Sequence, residues 1–465
     1  MLPQKSWILG FIGILAFSDG GVAKTDATYV TLGSDGIRAA RTVTEANTCP
    51  AIVVDGKNEA MHVRAPHEVL PLRPTASAKD LSKPSVFDVT VCEKILSPQV
   101  KRATINGQPL ALPAKDIRRI VVIGDTGCRL KASDNAYQDC NNADAYPFSR
   151  IAAAAAKWKP DLVIHVGDYL YRENPCPEGK SGCSASPWGY GWDSWNADFF
   201  EPGESLLAAA PWVFARGNHE SCTRAGQGWW RLLDPRPLTK GRDCIDPAKD
   251  AEGDYGDVYA VPLGGGAQVA VLDLSHMGEK DIPADDPRFQ QYDASYRDLS
   301  DLAARAKFTF VVDHYPFLGI AGVKGKSDQF NTGYASLRST FGRDGRPLLP
   351  GGVDTLLAGH VHLWEQVGFA GAAPSQFIAG FSGTQEDVAA LPETLPEGIS
   401  PLPGVPVDTF NSWVDAFGYM TLEKTAPRHW DVKVWGLDGT VERRCHIDGR
   451  RSTCDSRGNT ARKRQ

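Results

Sequence analysis

Val311-Val312-Asp313-His314 and Gly359-His360-Val361-His362 each close an apolar run with a short polar cluster. Phe308-Thr309-Phe310 leads into the first, and Thr355-Leu356-Leu357-Ala358 leads into the second. Three earlier segments have the same shape. Ile120-Val121-Val122-Ile123 runs into Gly124-Asp125-Thr126-Gly127, Leu162-Val163-Ile164-His165-Val166 into Gly167-Asp168-Tyr169-Leu170-Tyr171, and Trp212-Val213-Phe214-Ala215 into Gly217-Asn218-His219-Glu220. Short β-branched runs bounded by Gly read as buried strands. In α/β sheets the functional groups gather beyond the carboxyl ends of such strands. Five strand ends would therefore bring two Asp, a Tyr, an Asn and three His to one rim, which is the donor set of a metal site.

The stretches between these strands agree. Phe148 to Trp158, with its Ala152–Ala156 run, predicts a helix, as do Trp195 to Ala210 and Asp293 to Lys307. The result is the strand–helix rhythm of a layered α/β domain over residues 116–440. A hairpin is expected around Gly264-Gly265-Gly266, and closing strands at 417–422 and 430–435. Residues 24–115 differ. Short β-prone runs alternate there with turn signals such as Asp55-Gly56 and Asn106-Gly107, which predicts a small all-β sandwich carrying no chemistry of its own. Residues 441–465 read as a tail holding a disulfide.

The chain has 465 residues, 42% hydrophobic and 23% charged, ordinary for a globular protein with room for two or three domains. Its formal net charge of −6 gives no support for a nucleic-acid or anionic-membrane partner. Residues 1–23 carry Lys5, an apolar core from Trp7 to Phe17 and a small-residue end at Gly21-Val22-Ala23. That is the pattern of a secretory signal peptide, and its core is short for a membrane span. A secreted or periplasmic location follows, with no membrane contact after cleavage. The ten cysteines agree, being even in number and free of any C-x₂-C zinc spacing. Cys49 to Cys92 is the expected bridge of the N-terminal part; the overall connectivity stays open.

The donor types have a chemical reading. Two adjacent ions need a bridging carboxylate and about three further protein ligands each, with positions left for water and substrate. Imidazole, carboxylate and carboxamide suit hard and borderline metals. The two imidazoles of His360-Val361-His362 are close enough to serve neighbouring ions. Glycines beside Asp125, Asp168, Asn218 and His360 are expected to allow sharp turns there.

G-D-x-G, G-D-x-x-Y, G-N-H-E, V-x-x-H and G-H-x-H, in this order, resemble the five motifs of the purple acid phosphatases among the calcineurin-like metallophosphoesterases. The resemblance covers about Ile120 to Val367 and implies a layered metallophosphoesterase β-sandwich flanked by helices. It implies one ion, Fe(III), held by Asp125, Asp168, Tyr171 and His362. A second, divalent ion (Fe, Zn or Mn) would be held by Asp168, Asn218, His314 and His360, with Asp168 bridging. It also implies that a hydroxide generated by the ions attacks phosphorus in line, and that His219 binds phosphate and assists the leaving group. The substrate would be a small phosphate monoester. A phosphodiester is the alternative, and a surface-binding protein with a structural metal centre, or redox chemistry at iron, are further ones. One departure stands out. The family usually has a further His nine or ten residues after the V-x-x-H histidine, and here Val323 and Lys324 occupy that place, so Lys324 is the candidate for its charge. His165 and Tyr169 read as packing residues; His62, His67, His276, His429 and His446 lie outside every motif. Trp188, Tyr190, Trp192 and Trp195 read first as core.

Overall fold

The computed structural model describes residues 25–455 except Thr75, Ala76, Lys324, Glu386, Asp387 and Asp415. The expected signal segment 1–23 and the candidate Lys324 therefore lie outside the described residues.

The apolar runs form parallel strands buried on both faces. Arg119–Ile123, Leu162–His165 and Trp212–Phe214 pair in parallel in one sheet, and Ala267–Val271, Phe308–Val312, Thr355–Ala358 and Ser375–Ala379 do so in a second. Alternate residues point to opposite faces of a strand. Ile120, Val122, Ile164 and Val213 thus meet Val269, Phe310, Leu357 and Phe377 between the sheets. Val121, Ile123 and Val163 face outward onto Ile151, Ala155, Leu206 and Leu207 of the helices Phe148–Lys157 and Glu201–Ala209. On the far side, Ala270, Val311 and Leu356 pack on Tyr292 and Leu299 of the helix Pro287–Ala304. The layers run helix, sheet, sheet, helix, as the sequence leads one to expect.

The helix expected from Trp195 begins at Trp192 and contains one π turn, Asn196–Phe200. The hairpin at Gly264–Gly266 is present. Strands that the sequence does not announce are Trp364–Phe369 and Val407–Trp413 at the edge of the second sheet. Residues expected as a tail form two further strands, Val441–Asp448 and Arg451–Cys454, which extend the first sheet as a hairpin closed by Cys445–Cys454. All ten cysteines pair with their sequence neighbours, Cys49–Cys92 among them. Among the described residues no helix is long and apolar enough to cross a membrane.

The N-terminal part is all-β: Ala40, Ile52, Val54, Leu96 and Ile105 pack between two sheets. One of those sheets is continuous with the first of the two parallel sheets, because Thr25–Leu32 runs parallel to Trp212–Phe214. Side chains reinforce the join. Arg41 donates to the carbonyls of Leu232 and Asp234, Arg64 to those of Trp230, Arg231 and Asp234, and Tyr29 Oη to that of Leu232. The carbonyls of Trp230, Arg231 and Leu232 end the helix Gly226–Leu232, whose last turn has no intrahelical partners for them, and that of Asp234 lies just beyond it. Glu93, buried between the two arginines, lies 2.7 Å from Arg41 and 3.1 Å from Arg64.

Candidate metal centre

The site strands are parallel within each sheet, and at their carboxyl ends the structure brings together Asp125, Asp168, Tyr171, Asn218, His314, His360 and His362. Three of the seven hold left-handed backbone: Asp125 at φ 53°, Asp168 at φ 59° and His360 at φ 70°. Such conformations cost energy in a residue with a Cβ and persist only where the surroundings impose them. The neighbouring glycines act mainly by leaving room. A Cβ on Gly217 would lie 2.0 Å from Asp168 Oδ1, and one on Gly167, itself at φ 102°, 2.5 Å from His314 Nδ1.

Two buried carboxylates hold the loops that follow Asp125 and Asp168. Glu220 accepts the backbone N–H groups of Asp168, Tyr169, Leu170 and Gly217 at 2.9–3.2 Å. Asp198, carried on the π turn, accepts those of Cys128, Tyr171 and Arg172 at 2.8–3.1 Å and pairs with Arg172 Nε at 2.6 Å. Asp198 does not stand out in the sequence, where an acidic residue off the strand ends looks like solvated surface; Glu220 closes the G-N-H-E motif, but the sequence assigns it no role.

The donor atoms converge on two places. Asn218 Oδ1 lies 2.9 Å from both His314 Nε2 and His360 Nδ1, and His314 Nε2 lies 3.1 Å from Asp168 Oδ2. Tyr171 Oη lies 2.9 Å from Asp125 Oδ1, Asp168 Oδ2 and His362 Nε2. A phenol has one proton and can satisfy one of those three acceptors. The outer nitrogens fix the ring orientations: His314 Nδ1 faces the Val166 carbonyl at 2.9 Å and His362 Nδ1 the Gln385 carbonyl at 3.1 Å. A carbonyl only accepts, so each Nδ1 carries a hydrogen, and in the neutral ring, the form that binds a metal, Nε2 turns a lone pair inward. Lone pairs aimed at each other in a buried pocket fit cations. The field has the same sign: burial works against a charged His314 ring, yet Asp168 outweighs it and holds the ring up at about 9. Burial, then the Asp125 and Asp168 charges, push the Tyr171 phenol well above its ordinary value.

His219 sits beside this set. Its ring lies 3.9 Å from that of Tyr171, Nδ1 is 3.0 Å from the Leu170 carbonyl, and Nε2 is 3.7 Å from Asp168 Oδ2. Arg224, unremarked in the sequence, places Nη2 2.7 Å from His219 Nε2 and is itself paired with the fully buried Glu173. Burial and then the Arg224 guanidinium push His219 down to about 4. On the other side His360 is flanked by Tyr315 and Tyr334, with ring centroids at 4.2 and 5.6 Å. His165 is a packing residue as expected, stacked on Tyr169 at 3.8 Å and held by Thr126 at 3.0 Å. Tyr190, Trp192 and Trp195 are buried in the core.

A family model of the calcineurin-like phosphoesterases matches residues 118–363, more than half of the chain and every strand end described above. The chain belongs to the calcineurin-like phosphoesterase family. It is a metal-dependent phosphoric ester hydrolase, and a two-metal centre is the family's catalytic device. Among solved structures it is similar to a purple acid phosphatase, PPD1, from yellow lupin (Lupinus luteus) seeds, at 14% identity and TM-score 0.50, over 92% of this chain and 73% of that one. It also matches PhoD, at 13% identity and TM-score 0.49, over 93% of this chain and 92% of that one. At 14% identity the likeness to the lupin protein is one of fold. Curated proteins show no sequence match.

Proposed function

We propose that this phosphoesterase is an exported phosphatase that hydrolyses phosphate monoesters, with Fe(III) and a divalent ion (Fe, Zn or Mn) as its metals. The observation carrying the reading is the pair of converging donor sets joined by Asp168. Asp125, Asp168, Tyr171 and His362 would hold the ferric ion, whose preference for a phenolate accounts for a buried tyrosine oxygen among carboxylates. Asp168, Asn218, His314 and His360 would hold the divalent one. When bound, such a pair lowers the pKa of water and neutralises charge on a phosphoryl group. The chain's own contribution is to hold the seven donors at one rim, three of them on left-handed backbone, and to offer Tyr315 and Tyr334 as one wall of the approach. Export rests on the signal-like residues 1–23.

The deciding experiment compares an aryl phosphate monoester with its diester, using protein purified with its native metals, from acid to neutral pH. Strong monoester preference supports the proposal. Diester preference leaves the metal site standing and replaces the substrate class.

A further inference from the structure

We propose that Arg224 is a catalytic residue of this site: its guanidinium meets the phosphoryl group and its departing oxygen, and it selects phosphate esters with acidic leaving groups. The inference rests on the phosphatase reading above.

Three observations carry it. First, the residue is built in. Arg224 is 7% exposed, and Glu173, at 0% exposed, receives both its Nη2 and, at 3.3 Å, its Nε. Tyr190 Oη donates to the same carboxylate at 3.0 Å, so the anchor is itself fixed. A long side chain held from behind in this way is preorganised, and its orientation costs nothing at the moment of reaction.

Second, it faces the centre. Nη2 is 2.7 Å from His219 Nε2, and that nitrogen is 3.7 Å from Oδ2 of the carboxylate shared by both donor sets. A phosphoryl group held against Asp168 on this side meets a cation.

Third, the geometry assigns the hydrogens. His219 Nδ1 lies 3.0 Å from both the Leu170 carbonyl and Glu173 Oε1, two acceptors, so Nδ1 carries the hydrogen; Arg224 Nη2, which only donates, lies 2.8 Å from Nδ1 and 2.7 Å from Nε2, and only Nε2 can accept from it. The imidazole is thus occupied on both sides, and the group beside the centre with donors to spare is Arg224. Arginine keeps its proton throughout the working pH range. In the step it serves, water oxygen bonds to phosphorus, the bond from phosphorus to the leaving oxygen breaks, and that oxygen keeps the bonding pair. Arg224 offsets the charge by hydrogen bonding, and the leaving oxygen takes its proton from solvent afterwards. Without proton transfer, rate depends steeply on how well the leaving group bears charge. Phenolic esters and phosphoanhydrides are favoured over alkyl esters.

The test uses the metal-loaded full chain and a series of aryl monophosphates spanning leaving-group acidity, together with calorimetric binding of inorganic phosphate. Removing Arg224 alone would strand Glu173, so the variants are Glu173→Gln, Glu173→Gln/Arg224→Met, Arg224→Lys and His219→Asn, each with metal content measured. The double variant should keep its metals and fall on the order of 10²-fold in kcat/KM below Glu173→Gln, with clearly weaker phosphate binding. Arg224→Lys should recover part of that loss. His219→Asn should lower all rates by a common factor and leave the leaving-group slope unchanged. Equal kcat/KM and phosphate affinity in the double variant and Glu173→Gln would reduce Arg224 to a structural ion pair. A shallow wild-type slope that steepens in His219→Asn would transfer the leaving-group role to His219. Absence of any phosphate hydrolysis by the wild type would instead sink the parent reading.

Discussion

Tyr171 Oη stands 2.9 Å from Oδ2 of Asp168, so the phenol and the carboxylate common to both donor sets meet at one point. The proposed ferric ion would bring a phenolate-to-iron absorption in the visible range. Tyr171→Phe should abolish that absorption in iron-loaded protein. Optical spectra of the two proteins decide it, and a band that survives the substitution removes the phenolate assignment.

Asp168→Ala should cost both metals and reduce hydrolysis to background, because one side chain serves both positions. Elemental analysis after dialysis is the check. Full retention of either metal contradicts the shared role.

Glu220 contacts no substrate position, yet it receives four backbone N–H groups, from Gly217, Asp168, Tyr169 and Leu170. Glu220→Gln places an NH₂ group where only acceptors fit. It should lower stability by about 1–3 kcal/mol, the cost of a buried donor left unpaired. Denaturant titration with metal removed isolates this effect; an unchanged midpoint would mean that the turns hold themselves.

The Arg41–Glu93–Arg64 cluster gives a pH prediction. Burial raises the Glu93 carboxyl, but Arg41 and then Arg64 outweigh it and hold the group below its ordinary value. A depressed carboxyl contributes stability above its unfolded value, about 4.3, and loses it as pH falls through the folded one. Glu93→Gln should therefore be less stable by about 3–5 kcal/mol at pH ~7, as when one partner of a buried pair is removed. The difference between the two proteins should hold down to pH ~4 and shrink only below it, as the folded carboxyl takes up its proton. Urea melts on either side of that pH test it, and a constant difference across it would contradict the ionic origin.

Much of the rim was legible because its signal is local. An apolar run followed at once by Gly-Asp or Gly-His announces both a buried strand and what lies at its carboxyl end. The seven donors could be read for that reason, though their coming together depends on parallel pairing over long range. Glu173, Asp198 and Arg224 could not be read as anchors: their burial comes from packing between segments, and alone each resembles a solvated charge; Glu220 lay inside the G-N-H-E motif, yet its hold on the backbone of another segment left no sequence signal. The join at Thr31 and Trp212 was hidden in the same way. Parallel neighbours nearly two hundred residues apart leave no turn signal between them. Val407–Trp413 lacked a continuous apolar run because it is an edge strand with most of its residues half-exposed.

The carbonyls from Trp230 to Asp234 take their donors from Tyr29, Arg41 and Arg64, and the helix they terminate starts two residues after Arg224. A minimal hydrolase cut from this chain at the start of the family-matching region would lose those donors. The hydrolytic unit is thus longer than the stretch that identifies it. Library design, domain grafting and truncation should treat residues 25–115 as part of the enzyme's working body, and should look for removable sequence elsewhere.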